Sequence, residues 1–412
     1  VNDKTGRTYD GTEATVSGSG HTLSDETASL LGNADYTDVT TRNAGDYALG
    51  ISGLYSGQQG YDIKVETGRY TVDKAKLTLS AVTDSKTYDG DTKSARRVKH
   101  GALQGSDSLT GLSQSFDSKN AGDNRTLTVD SGYTLEDGNG GNNYTVTTTS
   151  ANGSITRRKL TISGTKAAGK TYDGTATANI TVGSLENLVG GETLDVTASG
   201  EFDEGNAGDR TATAHYTLAN GDNGGLAKNY VLADTTGHEA TIDRRVLTIS
   251  GTSAANKAYD GTTTANITVG TLGNLVDGGT LDVTASGQFD EANAGDRTAT
   301  AHYTLANGDD GLASNYVLAD TTGHEATINR RVLTVSGTSA ADKTYDGTTS
   351  ADITLGALGN LVDGENLNVS ASGTFDSANA GERSATVRYT LADGDDVLAS
   401  NYVLADTTGH EA

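Results

Sequence analysis

A chain of 412 residues exceeds one ordinary hydrophobic core, and with 54 Gly, 18 Tyr, only 4 Phe and no Trp it cannot build thick ones, so several small domains are expected. The 54 acidic against 30 basic residues, a net charge of −24, exclude the basic surface that nucleic acid or an anionic membrane would require, and acidity here reads as solubility. Zero Cys excludes disulfides, thiolate metal sites and thiol nucleophiles, and zero Pro removes slow prolyl isomerisation from folding. No apolar run reaches the ~18–20 residues of a membrane helix, so no membrane insertion is expected. With no Met and no basic-then-apolar leader, the sequence reads as an internal piece of something longer.

In chain order, the first landmark is Tyr-Asp-Gly, with its Tyr at Tyr9, Tyr88, Tyr172, Tyr259 and Tyr345. Asn-Ala-Gly-Asp/Glu follows each at Asn43, Asn120, Asn206, Asn293 and Asn379. Asn-Tyr comes third, at Asn143-Tyr144, Asn229-Tyr230, Asn315-Tyr316 and Asn401-Tyr402, with Gly60-Tyr61 as a degenerate first copy. A fixed order at a period of about 85 residues is the signature of a tandem array, here of five repeats over 1–73, 74–157, 158–244, 245–330 and 331–412. The last strand of one repeat runs into the first of the next through Ile155–Thr161, Ile242–Thr248 and Ile328–Thr334, each holding Arg-Arg. No Gly/Ser or Pro-rich spacer intervenes, so stiff joints and an elongated rod are expected. Both termini cut this frame, and further repeats are expected to flank it.

Within the third repeat, Thr211–Leu218 alternates Ala212, Ala214, Tyr216 and Leu218 against Thr211, Thr213, His215 and Thr217, the pattern of a half-buried strand. Strands are also predicted at 159–163, 177–182, 193–199 and 229–233, rich in Thr, Val, Ile or Tyr and bounded by Gly, Asn and Asp. Six or seven strands fit in each repeat. Leu185, Leu188 and Val189, repeated as Leu358, Leu361 and Val362, support one helical turn at most. The fold expected is all-β: small antiparallel, immunoglobulin-like sandwiches, each with its own core. A β-grasp is the alternative, disfavoured because its helix needs several turns. Tyr-Asp-Gly-Thr reads as a tight turn whose Gly reaches positive φ, with Tyr covering the edge of a thin core. Phe202, four residues before Asn206, reads as an aromatic seat for the second turn.

Chemistry finds little footing. His238-Glu239 and His324-Glu325 open like a zinc-protease helix, but Ile242 and Ile328 replace the second His. No phosphate cradle and no nucleophile elbow is present in a suitable context. No catalytic, cofactor-binding or metal residue is therefore assigned, and no enzyme is expected. The loops Asn220–Gly224, Asn307–Gly311 and Asp393–Asp396 carry oxygen ligands of the kind calcium takes, yet match no calcium motif and are ordinary turn residues. Calcium stays open as the one cofactor, expected not to be needed for folding. Sequons occur at Asn124, Asn143, Asn152, Asn179, Asn266 and Asn368. Lys86, Lys170, Lys257 and Lys343 precede Tyr-Asp-Gly motifs, and no isopeptide cross-link is expected there because Arg7 fills the same position.

Four stretches carry a family resemblance: Lys343–Thr348, Asn293–Asp296, Asn315–Leu318 and Thr327–Thr334. Together they resemble the YDG-type repeats of large bacterial exoproteins, the filamentous-haemagglutinin-like adhesins of two-partner secretion, across essentially the whole chain. The resemblance implies a secreted or cell-surface stalk that projects a distal adhesive region in adhesion or biofilm formation. It further implies an outer-membrane secretion pore as partner and a host-surface glycan or protein bound through the full-length molecule. The chain itself is expected to be a monomer. The alternative function is a repeat that binds glycan or polysaccharide; scarce Trp and Phe favour the spacer.

Overall fold

The computed structural model describes residues 1–405 and the backbone of the strand Thr407–Glu411. The expected boundary at Ala412 lies outside the described residues. The fold is all-β: among the described residues the only helical turns are three 3-10 turns, Ala227–Asn229, Ala313–Asn315 and Ala399–Asn401. The chain divides into two compact units, Val1–Lys166 with Thr181–Ser199 and Ala214–Thr235, and Ala167–Ile180 with Gly200–Thr213 and Thr236–Ala412.

The second unit shows the plan of a repeat most fully. Leu281–Phe289 and Gly295–Asn307 form a long antiparallel pair, in register from Leu281 opposite Asn307 to Phe289 opposite Ala299. Thr321–Asn329 lies on the other side of Gly295–Asn307, with a register shift between Ala299 and Ala301. Lys257–Ala258 joins Thr321–Asn329 in parallel, and Thr264–Ala265 closes the far edge against Leu281–Phe289. The alternation expected of Thr211–Leu218 is present there and in its equivalent, where Ala299 and Ala301 are buried and Thr298 and His302 exposed. The remaining strands are short, so residues 245–329 hold eleven strands rather than six or seven. Small residues and frequent Gly and Asn turns leave few runs long enough for a continuous ladder.

In the first unit, Ala75–Ser80 is flanked by Tyr144–Thr149 in parallel and Lys99–His100 antiparallel. A four-stranded sheet of Gln114–Phe116, Gly122–Val129, Ala151–Thr156 and Ser85–Thr87 repeats the parallel edge. The first 73 residues carry Arg7–Thr8 and Gly68–Asp73 in the same parallel relation.

The helical turn expected at Leu185, Leu188 and Val189 is not there. Ser184–Glu186 is a strand paired with Thr161–Ser163, and Asn187 follows in the left-handed region at φ 71°. The second copy behaves alike, with Ala357–Gly359 paired to Thr334–Ser336 and Asn360 at φ 67°. Asn tolerates that conformation, and its side chain repays the strain locally: Asn187 Nδ2 donates to the Lys159 carbonyl at 2.7 Å.

The expectation of one core per repeat holds for the third, where Ala178, Phe202, Ala212 and Ile242 cluster, and is corrected elsewhere. Tyr9, Leu49, Tyr70 and Val72 share a cluster with Leu77, Leu79, Leu135 and Tyr144 from beyond the 73/74 boundary. Tyr88, Phe116, Leu127 and Ile155 pack with Leu160 and Tyr230. In the second unit Tyr259, Phe289, Ala299 and Ile328 pack with Leu333, Val397 and Tyr402. These three cores straddle a sequence boundary, because a repeat with few large side chains gains buried area from its neighbour. The linking strand is correspondingly interrupted. Thr321–Asn329 breaks at Arg330, resumes as Arg331–Val332, breaks again so that Leu333 turns inward, and continues as Thr334–Ser336.

Shared cores give a test. Leu333→Ala is expected to cost about 2–5 kcal/mol, read as faster amide exchange in Leu281–Phe289 and Thr321–Asn329, both on the earlier side of the boundary. Exchange confined to residues after 333 would restore separate cores.

Candidate functional site

All three landmarks meet at the joints between successive repeats. At each Tyr-Asp-Gly the Asp folds the chain back on itself: Thr175 N–H donates to Asp173 Oδ1 at 2.9 Å, and Gly174 sits at φ 81°. The preceding Lys closes this turn, with Lys170 Nζ 2.7 Å from Asp173 Oδ1 and 2.7 Å from the Thr175 carbonyl. Lys257 and Lys343 repeat the arrangement, and Arg7 replaces it with a guanidinium on Asp10 and Thr12. The ammonium expected to stay free of a cross-link is thus engaged in an ion pair. Hydrogen bonds from Lys343 and then Thr348 hold the Asp346 carboxyl down to about 2.

The turn delivers its Tyr into the next repeat, not to the edge of its own. Tyr88 is fully buried, its ring 5.3 Å from that of Tyr230 at 80°. Tyr9 meets Tyr144, Tyr172 meets Tyr316 and Tyr259 meets Tyr402 in the same edge-to-face manner. The fifth, Tyr345, is exposed beside a groove of about 480 Å³ lined by Lys343, Phe375, Asn379 and Ala380.

A carboxylate ties three of these pairs. Tyr88 and Tyr230 donate their hydroxyls to the two oxygens of Glu192, at 2.6 and 2.7 Å. Tyr259 and Tyr402 share Glu365, and Tyr9 and Tyr144 share one oxygen of Asp107, which also holds Arg42. Burial, and next the hydrogen bond to the carboxylate, push the hydroxyls of Tyr230 and Tyr402 up to about 12; Tyr9, Tyr88, Tyr144 and Tyr259 are raised by the same causes.

The other two landmarks form the second half of the joint. Arg210 Nε donates to the Asn206 carbonyl and braces the Asn-Ala-Gly turn, as Arg297 does for Asn293. The turn offers an amide N–H and an Asn side chain, and the Asn of Asn-Tyr in the following repeat reads both. Ala207 N–H donates to Asn315 Oδ1 at 2.8 Å while Asn315 Nδ2 donates to Asn206 Oδ1 at 2.9 Å. The same pair of bonds joins Asn143 to Ala44 and Asn43, Asn229 to Ala121 and Asn120, and Asn401 to Ala294 and Asn293. All four carboxamides are at most 1% exposed. Three of them end the 3-10 turns, which the first residue of each acidic loop caps: Asn220, Asn307 and Asp393 accept from Ala227, Ala313 and Ala399. Their oxygens are engaged in turn formation. Burial also removes the Asn143 sequon from the accessible set in the folded chain.

Sequence reasoning missed the carboxylates, because Gly279 stands where Glu192 and Glu365 do and so masks the pattern. It also missed the second Arg of Arg-Arg. Arg158, Arg245 and Arg331 each grip the carbonyl and Oδ1 of a left-handed Asn: Asn187, Asn274 and Asn360. His238-Glu239 and His324-Glu325 lie on strands, and His324 bonds Thr321 instead of a metal-facing neighbour. Among the described residues no three His, Cys, Asp or Glu side chains gather to hold a metal, and no helix is long and apolar enough to cross a membrane.

A family model, the YDG domain, matches residues 73–151, 156–237, 243–323 and 329–409. No curated protein matches the chain. Among solved structures, the EC1-4 region of Drosophila N-cadherin is similar at 8% identity and a TM-score of 0.17, over 76% of this chain and 97% of that one, a level that carries no argument.

Two tests follow from the joint. Asn229→Leu strands the Ala121 N–H and the Asn120 side chain, at an expected cost of about 2–3 kcal/mol, measured by denaturant unfolding; Asn229→Asp should also destabilise, because it places a charge in a buried site. Tyrosine hydroxyls that hold their protons more tightly when folded stabilise the chain fully below pH 10. Unfolded tyrosines ionise near pH 10 and folded Tyr230 and Tyr402 near pH 12, so stability should fall as pH rises through that window. Denaturant midpoints at pH 9 and 11 check this, and equal midpoints would reject it.

Proposed function

The chain belongs to the YDG domain family, and from that premise we propose that it is a structural stalk, a spacer segment of a secreted or surface-attached bacterial adhesin that projects a distal adhesive region. The observation that carries the reading is the joint: four times over, a buried Asn of one repeat is hydrogen-bonded into the preceding one, and the buried Tyr beside it packs edge-to-face on that repeat's Tyr. Such a joint resists bending, since swinging one repeat away would leave buried polar groups without partners. A stiff spacer lowers the entropy lost when a distant tip finds its ligand. The landmark aromatics that a glycan-binding repeat could have offered for stacking are mostly consumed between repeats. Only Tyr345 among the five Tyr-Asp-Gly tyrosines is exposed.

In this reading the repeats are five small immunoglobulin-like sandwiches in line, and they carry out no catalytic step. The filamentous-haemagglutinin-like, two-partner setting belongs to the proposal, as does the cell-surface location. Modules of ~30–40 Å should give solution scattering from a particle on the order of 150–200 Å long, against a radius of gyration near ~22 Å for a compact globule of this length. A compact or freely jointed profile overturns the stalk. Saturable binding to a glycan array by the chain alone would replace it with the binding-module alternative.

A further inference from the structure

The third joint lacks its carboxylate. Tyr172 and Tyr316 keep the ring geometry of their siblings, centroids 5.3 Å apart at 80°. The backbone that should supply the acid is also in place: Gly279 N–H donates to the Val276 carbonyl at 2.9 Å, as Glu192 does to Val189 at 2.9 Å and Glu365 to Val362 at 3.0 Å. Only the side chain is missing. A Cβ at Gly279 would stand 3.1 Å from the Val276 carbonyl oxygen and 3.5 Å from the Tyr316 hydroxyl, so a side chain here would start beside that hydroxyl.

The tyrosines are left with unused donors. Tyr316 is buried, and its hydroxyl oxygen accepts from Val276 N–H at 3.2 Å, the bond that Tyr230 and Tyr402 accept from Val189 and Val362. In those two the hydroxyl proton goes to Glu192 or Glu365, whereas no acceptor faces the Tyr316 proton among the described residues. The Tyr172 hydroxyl likewise has no partner among them, and its ring is only half-buried where Tyr88 and Tyr259 are buried.

We propose that the Tyr172–Tyr316 joint is a binding site for a small aliphatic carboxylate, one oxygen on each tyrosine hydroxyl, seated where Glu192 and Glu365 place their side chains in the sibling joints. Propionate has the chemistry of that side chain, a carboxylate on a short aliphatic stem, with its methyl held at van der Waals distance from the Gly279 backbone to which a Cβ would be bonded. Two hydrogen bonds to an anion supply most of the affinity, and the chain's net charge of −24 opposes it. Binding in the millimolar range is expected for so few atoms, roughly.

The test uses the full chain with 13Cζ-labelled tyrosine, the Tyr172 and Tyr316 signals being assigned from Tyr172→Phe and Tyr316→Phe. Sodium propionate is titrated against sodium chloride at constant ionic strength. The expected result is a saturable shift of those two signals alone. Tyr172→Phe should weaken binding about tenfold or more. Gly279→Glu should abolish it and move both signals towards those of Tyr259 and Tyr402. The proposal is overturned if the two signals do not move, if chloride moves them equally, if the shift does not saturate, or if Tyr172→Phe leaves the affinity unchanged.

Discussion

A carboxamide buried between two repeats governs how the others are placed. Taking an Asn side chain out of water without partners would cost several kcal/mol, roughly, so its carbonyl and its NH2 must both be met. Here the carbonyl oxygen takes a backbone N–H and the NH2 meets another Asn, both from one turn of the preceding repeat. That bidentate requirement selects one register between neighbours. Apolar packing alone would tolerate slippage, because Ala, Leu and Val contacts are non-directional.

Around this bond the tyrosine pair adds area and the carboxylate adds direction. Edge-to-face rings bring two hydroxyls to one place, and a shared acid satisfies both without a second acceptor. The acid is itself an anion under cover, so neighbouring cations matter. Arg42 reaches Asp107, and Lys119 lies 4.0 Å from Glu192. These basic residues immediately precede the Asn of Asn-Ala-Gly, where the later repeats have Gly205 and Ala292. Charge compensation therefore differs between joints that share one backbone plan.

Stability in such an array depends on neighbours. A repeat whose core is completed by its neighbour loses part of its packing whenever the neighbour moves away, so cohesion is a nearest-neighbour quantity. Thin cores, the weakness that composition announces, are completed across the joints.

The sequence by itself determined the period, the all-β class and the turn at each Tyr-Asp-Gly, because these rest on local chemistry: Thr and Ala alternation in Thr211–Leu218, and Gly174 free to take positive φ beside an Asp that caps its own turn. It also marked the right residues as landmarks. Their role was decided only in three dimensions. Tyr88 and Glu192 lie 104 positions apart, and Asn229 and Asn120 lie 109 apart. No pattern within one period reveals that a residue's partner sits in the next, since the second, third and fifth copies each carry both halves of the contact. Intra-repeat and inter-repeat pairing predict the same spacing, and only the path of the chain through Arg331 and Leu333 separates them. The helical turn expected at Leu185 failed for a related reason: Asn187 takes the left-handed conformation because Arg158 and the Lys159 carbonyl hold its side chain, a contact 28 residues distant.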